Sequence, residues 1–316
     1  MPDSMSDPTP QVVVVGSYVH DMKWRTERFP LDGESVLGDF YDDPGGKGTN
    51  QAVAVSRLEI PTAFVGGVGR DILGEGAKKL FAEEGIQAHL LEVDGPTGTA
   101  SIQIDASGQN RIVVDLGANL LWEYYRIPEH LLAKAKVVVC QCEISPKSTE
   151  HALSLGRENG AVTILNPAPF TNKLQPDLLP YVDALIPNES EFSGLLSSFE
   201  ETRELAVSPE EVAELSDDEF RLRCESIAVP TVIVTLGEEG CYLSSPSGHG
   251  RYRPEPGIHA IDTVGAGDSF VGGLAASMAR GTEWPEAVSF ATKVAGLAVQ
   301  RKGSALAMPR LSEVEQ

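Results

Sequence analysis

The sequence predicts a doubly wound α/β fold, in which a mostly parallel sheet has helices on both faces and a small β-sheet projects from it as a lid. Short valine- and isoleucine-rich runs, which are typical of strands buried on both faces, recur along the chain. Longer segments with helical periodicity separate these runs. Residues 18–44 and 96–114 instead alternate apolar and polar side chains around Gly, Ser and Asn turns. These two regions are the predicted lid strands.

The predicted elements follow one another in a regular order. Strands are expected at Val12–Gly16, Thr62–Val68, Lys136–Ile144, Val162–Asn166, Asp183–Asn188 and Thr231–Leu236. Helices are expected near 49–58, 74–85, 147–159, 190–197, 209–228, 268–280 and 285–300. We assign residues 1–316 to one domain that includes the lid. The alternative for the lid strands is a surface hairpin without function.

The chain is strongly acidic, with 25 Lys and Arg against 46 Asp and Glu and a formal net charge of -21. Such a surface repels phosphate backbones and anionic lipid headgroups, so we expect neither a nucleic acid nor a membrane partner. Residues 1–10 lack the features of a signal peptide, and no segment has the roughly 18 uninterrupted apolar residues of a membrane span. We therefore expect a cytoplasmic protein.

The four cysteines agree with a reducing compartment. Cys140 and Cys142 alternate in one apolar run, whereas Cys224 and Cys241 are isolated. A Cys-x-Cys pair can bind a metal, but no second Cys/His cluster at zinc-like spacing accompanies it. Buried strand cysteines are the favoured interpretation.

Polar residues follow the predicted strands at the end where parallel sheets bind ligands. They are Asp21, Glu143, Asn166, Asn188 with Glu191, and Thr235 with Gly237. For Asn166 or Asn188 alone, a helix cap is the default interpretation. Because so many strand ends carry such residues, together they favour a functional site.

A glycine-rich segment, residues 43–55, opens the first predicted helix. Gly45, Gly46 and Gly48 let the backbone approach a ligand closely, and Lys47 adds a positive charge. The segment does not match the phosphate-binding motif Gly-x4-Gly-Lys-Ser/Thr, because Tyr41 and Gly48 occupy two of its fixed positions. A dinucleotide-binding fingerprint is absent as well.

The stretch "DTVGAGDSF" at residues 262–270 begins another predicted helix. Gly265, Ala266 and Gly267 leave their backbone N–H groups uncovered at the positive end of the helix dipole, so an anion is expected there. Asp268 would repel a bound phosphate unless it accepts a proton from a hydroxyl that attacks the phosphorus. The alternative is that Asp268 only interacts with the helix dipole.

These segments resemble those of the ribokinase-type carbohydrate kinases. The resemblance covers nearly the whole chain, and the Gly-Gly-Lys-Gly and Asp-Thr-x-Gly-Ala-Gly-Asp segments are specific in combination. It extends to "VVVVGSYVHD", "NPAP", "PNESE", "TLGEEG" and "RKGS". The resemblance implies the same fold with a β lid, and a homodimer formed through the lid strands.

The resemblance also implies a role for each matched residue. Asp268 would be the catalytic base, and the amides of Gly265, Ala266 and Gly267 the anion hole. The residues that would bind the sugar are Asp21, Gly46, Lys47, Asn50 and Glu143. Asn188 and Glu191 would organise Mg²⁺ on the ATP phosphates, while Thr235 and Gly237 would line the nucleotide side. A monovalent cation, with K⁺ first, would be held by Asp262 and by backbone carbonyls near Val264, Ala298, Arg301 and Gly303.

Two positions depart from the family pattern. Val19 stands where the family usually has an asparagine of the sugar site, and Ala307 stands where a hydroxyl often lies near the cation. The expected function is ATP-dependent phosphorylation of a primary hydroxyl on a small sugar, with ribose first. Nucleosides are the alternative substrates within this chemistry. A non-catalytic sugar or nucleotide sensor and a dinucleotide-dependent oxidoreductase are the alternatives of other classes.

Overall fold

The computed structural model describes residues 9–170, 174 and 176–316. Its strands in chain order are β1 Val12–Val15, β2 Val19–Thr26, β3 Gly38–Gly45, β4 Thr62–Gly69, β5 Gln87–Val93, β6 Gly98–Ile104, β7 Asn110–Asp115, β8 Val137–Gln141, β9 Val162–Asn166, β10 Ala184–Leu185, β11 Thr231–Thr235, β12 Cys241–Ser245 and β13 Gly248–Tyr252. Its helices are α1 Lys47–Arg57, α2 Ile72–Glu83, α3 Glu129–Leu132, α4 Pro146–Glu158, α5 Glu189–Ser198, α6 Pro209–Val212, α7 Asp217–Ser226, α8 Ala266–Ala279, α9 Trp284–Ala298 and α10 Leu311–Val314.

Nine strands form the main sheet in the order β13-β12-β11-β10-β9-β8-β1-β4-β5. All neighbours pair in parallel except β11 with β12 and β12 with β13. β1 lies between β4 and β8, and the connections lead away from it in opposite directions. Such a switch in strand order leaves a crevice at the carboxyl ends of β1 and β8, where ligands bind in folds of this kind.

Helices cover both faces of the main sheet, which confirms the predicted fold class. Val12 and Val14 of β1 pack into a core with α1, α2, α8 and α9. Val13 and Val15 pack into a second core with α4, α5 and α7 on the opposite face. This alternation is the two-residue period of a strand that is buried on both sides, and it explains why β1 reads as a continuous run of valine.

The small sheet has the strand order β3-β2-β6-β7 and contains the residues predicted for the lid. β2 pairs antiparallel with β3 and parallel with β6, and β6 pairs antiparallel with β7. Val19, Ala100 and Ile102 form its small apolar core. Because β3 ends at Gly45 and α1 begins at Lys47, the small sheet leads directly into the first helix of the main sheet.

Some predicted element boundaries were wrong. The single helix expected over 209–228 is two helices, α6 and α7, because Ser216 and Glu219 form a second capping box that starts α7 anew. The strand expected over 183–188 keeps only two residues, Ala184 and Leu185. β5 and the β12–β13 hairpin, which lie at the two ends of the main sheet, were not predicted, since they carry polar residues and lack a continuous apolar run. No helix in the described part of the chain is both long and apolar enough to cross a membrane.

Candidate active site

Two adjoining cavities lie at the carboxyl end of the main sheet. The larger has a volume of about 810 Å³ and the smaller a volume of about 210 Å³. Both are lined by Thr235 at the end of β11 and by Thr263, Ala266 and Gly267 at the start of α8. The larger volume is typical of a small-molecule pocket. The pair can therefore hold two reactants side by side, with the N-terminus of α8 between them.

Asp268 is a buried carboxylate of the smaller cavity, with 7% of its surface exposed. It lies in the first turn of α8, where the helix dipole favours a negative charge. Asn50 Nδ2 donates to its Oδ2 at 2.8 Å, and Gln51 Nε2 donates to its Oδ1 at 2.9 Å. A carboxylate oxygen accepts two hydrogen bonds, so each oxygen keeps capacity for another proton donor. Sequence reasoning did not single out Gln51.

The start of α8 has the backbone geometry expected of an anion site, with one difference. Gly265 is the N-cap and has a φ of 77°, a left-handed conformation that glycine adopts without strain. The Ala266 amide donates to Thr263 O at 3.2 Å, so it already has an acceptor. Within the described ranges, the amides of Gly265 and Gly267 have none. Two of the three predicted amides are therefore available to an anion.

Lys47 provides a positive charge in the smaller cavity. It is the first residue of α1, and its amide donates to Glu143 Oε2 at 2.9 Å. Burial lowers the pKa of Lys47, but three nearby carboxylates outweigh burial and raise it above its ordinary value. They are Asp268, Glu143 and Glu191. Lys47 is therefore a cation at neutral pH.

Glu143 and Asp21 are buried carboxylates next to the crevice, each 7% exposed. Burial raises the pKa of Glu143, which accepts a hydrogen bond from Ser17 Oγ. Burial also raises the pKa of Asp21, to about 6, although the neighbouring Lys23 lowers it. Neither carboxylate lines the wall of the two cavities as described. Glu143 accepts a hydrogen bond from the amide of Lys47, which does line the smaller cavity, and Asp21 lies on β2 of the small sheet, paired with Asp43 of β3.

Asn188 and Glu191 form a capping box at the start of α5. Asn188 therefore has the helix-cap role that was its default interpretation from the sequence. Asn188 Oδ1 accepts from the Glu191 amide at 2.9 Å, and Glu191 Oε2 accepts from the Asn188 amide at 2.9 Å. Burial raises the pKa of Glu191, and the Asn188 hydrogen bond opposes that shift. Both residues also line the smaller cavity, so the capping role does not prevent contact with a ligand.

Thr235 and Gly237 line the larger cavity, at the end of β11 and just after it. The sequence also predicted Ala266 and Gly267 of this cavity but missed its other lining residues, most of which come from α9 and from the segments after β11 and before α8. The missed lining residues include Arg253, Ile258, Thr292, Ala295, Gly296 and Val299. Thr292, Ala295, Gly296 and Val299 recur at helical spacing, and the first three have small side chains. This pattern could have indicated a helix face close to a ligand.

Asp262 joins two loops of the chain. Its Oδ1 accepts from the Val264 amide at 3.0 Å, and its Oδ2 accepts from the Gly303 amide at 3.1 Å. The amide of Arg301 donates to Ala298 O at 3.1 Å, so that carbonyl keeps one lone pair. The structure thus brings Asp262, Val264 and Gly303 together. In the described residues, no three metal-binding His, Cys, Asp or Glu side chains form a cluster.

The chain belongs to the pfkB family of carbohydrate kinases, whose family model matches residues 9–311. This result confirms the class of enzyme and the family resemblance expected from the sequence. Within that family, the chain is similar to ribokinases. It is 33% identical to the ribokinase of Schizosaccharomyces pombe, over 96% of both chains.

Two solved ribokinase structures show the same fold. The ribokinase of Giardia lamblia superposes with a TM-score of 0.87 at 29% identity, covering 98% of both chains. The Arabidopsis thaliana ribokinase complexed with ribose and ATP superposes with a TM-score of 0.81 at 29% identity, also covering 98% of both chains. The large helix-covered sheet and the separate small sheet are therefore the architecture of this family.

Proposed function

We propose that this carbohydrate kinase transfers the terminal phosphoryl group of ATP to the primary hydroxyl of D-ribose, giving ribose 5-phosphate. The observation that carries the proposal is the position of Asp268, a buried carboxylate where two cavities adjoin. It lies beside the amides of Gly265 and Gly267, which have no acceptor among the described residues. Asp268 accepts the proton of the attacking hydroxyl. The two amides receive the negative charge of the transferred group.

The sugar binds on the lid side of Asp268 in this proposal. Lys47 and Asp268 line the smaller cavity. Asn50 donates to Asp268 and Glu143 accepts from the Lys47 amide, while Gly46 precedes α1 and Asp21 lies on β2 of the lid. Ionised carboxylates accept hydrogen bonds from sugar hydroxyls, whereas Lys47 donates to them. Closure of the lid over this region would exclude water from the reaction.

ATP occupies the larger cavity, with Thr235 and Gly237 on the nucleotide side. Its phosphates reach Gly267, which lines both cavities. Support comes from the cavity volume and from the Arabidopsis ribokinase, which was solved with ribose and ATP.

The residues also fit the two expected cations. Mg²⁺ needs only one or two carboxylates because it keeps several waters, and Glu191 with Asn188 supplies such oxygens in the smaller cavity. Mg²⁺ held there would neutralise charge on the ATP phosphates. A monovalent cation, with K⁺ first, fits Asp262 and the backbone carbonyls near Val264, Ala298, Arg301 and Gly303. Ala307 is buried beside that segment and offers no hydroxyl to the cation.

Nucleosides remain the alternative substrates, because Val19, which stands in place of the family's asparagine, would suit contact with a base rather than with a hydroxyl. Val19 is only 2% exposed and packs with Ala100 and Ile102 in the core of the small sheet. Its burial there supports ribose over a base that would contact this side chain. A sensor without catalysis is disfavoured because it does not require a carboxylate beside the anion site.

We further propose a cytoplasmic homodimer that associates through the lid strands and has no nucleic acid or membrane partner. All six residues of β7 are exposed, including Ile112, Val113 and Val114. A row of exposed apolar side chains on an edge strand favours association with a second sheet. The four cysteines are free, as expected for a reducing compartment.

The test is ATP consumption with a panel of pentoses, hexoses and nucleosides. Ribose should give the highest kcat/KM, with ribose 5-phosphate identified by ³¹P NMR. Asp268→Asn should lower kcat by about 10²- to 10⁴-fold while sugar binding persists. Asp94→Asn, a change at an exposed carboxylate, serves as the control. Near-normal turnover by the Asp268 variant would refute the proposed base, and a preference for nucleosides would reassign the substrate.

A further inference from the structure

A chain of buried side-chain amides lies beneath Asp268. Gln51 Nε2 donates to Asp268 Oδ1 at 2.9 Å and to Asn166 Oδ1 at 3.2 Å, and Gln51 Oε1 accepts from Gln141 Nε2 at 2.6 Å. Gln51 and Gln141 are completely buried, and Asn166 is 8% exposed. These residues come from α1, β8 and β9, so the chain ties α8 to the middle of the main sheet.

The direction of every hydrogen bond in this chain is fixed by its two ends. Asn166 Nδ2 donates to the backbone carbonyl of Ile186 at 2.9 Å, and a carbonyl can only accept. Asn166 must therefore present its oxygen to Gln51, whose nitrogen faces both Asn166 and Asp268. The oxygen of Gln51 then faces Gln141, which must donate. A flipped Gln51 amide would place its oxygen against two acceptors, so only one orientation is stable.

Close packing also holds Gln141 in place. A Cβ added to Gly16 would lie 2.2 Å from Gln141 Oε1, so this glycine makes room for the amide at the end of β1. Gln141 Oε1 is itself a buried acceptor without a hydrogen-bond donor in the described part of the chain. Leaving a buried oxygen without a donor costs free energy. We attribute the presence of an amide at this position, despite that cost, to the hydrogen bond that its nitrogen donates to Gln51.

We propose that Gln51 is a positioning residue for the phosphoryl-transfer reaction, and that Gln141 and Asn166 orient its amide so that it always donates to Asp268. The inference rests on the proposed role of Asp268 as base. Asn50 holds the other carboxylate oxygen at 2.8 Å, so the two amides fix the carboxylate against rotation about its bond to Cβ. Rotation would move the accepting oxygen away from the sugar hydroxyl.

Steady-state kinetics of three variants test the proposal. Gln51→Met keeps the volume and removes the donor, so kcat should fall by roughly 10- to 100-fold while the KM values for ATP and ribose change less than about twofold. In Gln51→Glu, kcat should fall further than in Gln51→Met, because this variant places a second carboxylate against Asp268. Gln141→Met keeps the Gln51 donor but removes the hydrogen bond that orients it, so kcat should fall by less than about tenfold.

Thr163→Val is the matched structural control. Thr163 is completely buried and donates to Tyr181 O at 2.7 Å near the start of β9, at the opposite end of the sheet from the cavities. Its loss should lower the thermal stability without changing kcat. If Gln51→Met keeps kcat within twofold of the wild type, or raises KM at unchanged kcat, the positioning role is refuted.

A measurement without substrate separates this inference from the proposed function. In protein labelled with ¹⁵N at glutamine, one side-chain amide proton of Gln51 should resonate downfield because it is bonded to a carboxylate. Asp268→Asn should remove that shift, and Thr163→Val should not. An unchanged Gln51 signal in Asp268→Asn would overturn the contact even if the enzyme acts on another sugar, whereas a wild type inactive with every sugar would refute only the proposed function.

Discussion

Lys23 Nζ lies 3.0 Å from Asp43 Oδ2 and 3.9 Å from Asp21 Oδ2. The Lys23 side chain is 4% exposed, and its ammonium lies 5.8 Å from the centre of the Tyr41 ring. Lys23 and Asp21 are on β2, whereas Asp43 and Tyr41 are on β3. A buried cation therefore joins the two lid strands next to the proposed sugar site.

Lys23→Met is expected to destabilise the protein by about 3 kcal/mol, because it leaves two partly buried carboxylates without their cation. The KM for the sugar should rise as well, since Asp21 becomes harder to ionise. Urea unfolding and sugar titrations measure the two effects. Lys79→Met, at a lysine whose side chain is 76% exposed, is the control and should change neither. An equal effect of the two variants would contradict the role of the buried ion pair.

The pKa of Asp21, raised to about 6 by burial, predicts a pH-dependent sugar affinity. Ionised Asp21 accepts hydrogen bonds from the sugar, so the KM for the sugar should rise by up to about tenfold per pH unit as the pH falls below about 6.

The raised pKa also affects stability, because the folded state binds the Asp21 proton more tightly than the unfolded state does. The contribution of Asp21 to the free energy of unfolding therefore falls as the pH rises from about 4 to 6. Asp21→Asn should remove the dependence of KM on pH in this range. A dependence that survives in this variant would assign the titration to another group.

Gly265→Ala and Gly267→Ala are expected to differ in stability. Gly265 has a φ of 77°, and an added Cβ would lie 3.2 Å from Met308 Cε, so its replacement should cost about 1–2 kcal/mol. At Gly267 an added Cβ meets no described atom within 4 Å beyond its chain neighbours and its own helix backbone. Alanine in a helix is favoured over glycine by up to about 1 kcal/mol. The Cβ at 267 would enter the space proposed for the phosphates, so kcat should still fall. Thermal unfolding with kinetics separates these effects, and unchanged kcat in Gly267→Ala would argue against the amide cradle.

Asp262→Asn is expected to weaken any activation by K⁺. The carboxylate holds the Val264 and Gly303 amides at 3.0 and 3.1 Å and is the charged group of the proposed monovalent site. Activity measured against K⁺ concentration, with Na⁺ keeping the ionic strength constant, should show half-activation at a higher K⁺ concentration in the variant. Wild-type activity that does not depend on K⁺ would refute the monovalent cation site.

Val113→Lys is expected to dissociate the proposed homodimer. Val113 lies on β7 and is 74% exposed, so a charge there would face the second subunit. Leu222→Lys adds the same charge at a residue of α7 that is 54% exposed, and it should leave the dimer intact. Sedimentation velocity measures the mass of each variant. A monomeric wild type would refute association through the lid.

Local patterns in the sequence were sufficient to predict the α/β class. The valine run of β1 and the helical periods around it follow directly from burial on both faces of a sheet. The break between α6 and α7 was missed although Ser216 and Glu219 match a capping box, because the helical period was extended across it. The two-residue β10 was overestimated, since an apolar run does not show where pairing with a neighbouring strand ends.

Within the candidate site, the sequence by itself determined residue types: glycines where the backbone meets a ligand, a carboxylate in the first turn of α8 and a lysine at the start of α1. Only the tertiary structure decided how they meet. Asn50 and Asp268 are 218 positions apart, and Gln51 and Gln141 are 90 apart, yet both pairs are hydrogen-bonded. The physical reason is that periodicity and capping act within a few residues, whereas buried hydrogen bonds between distant segments depend on how α1, β8 and α8 pack together.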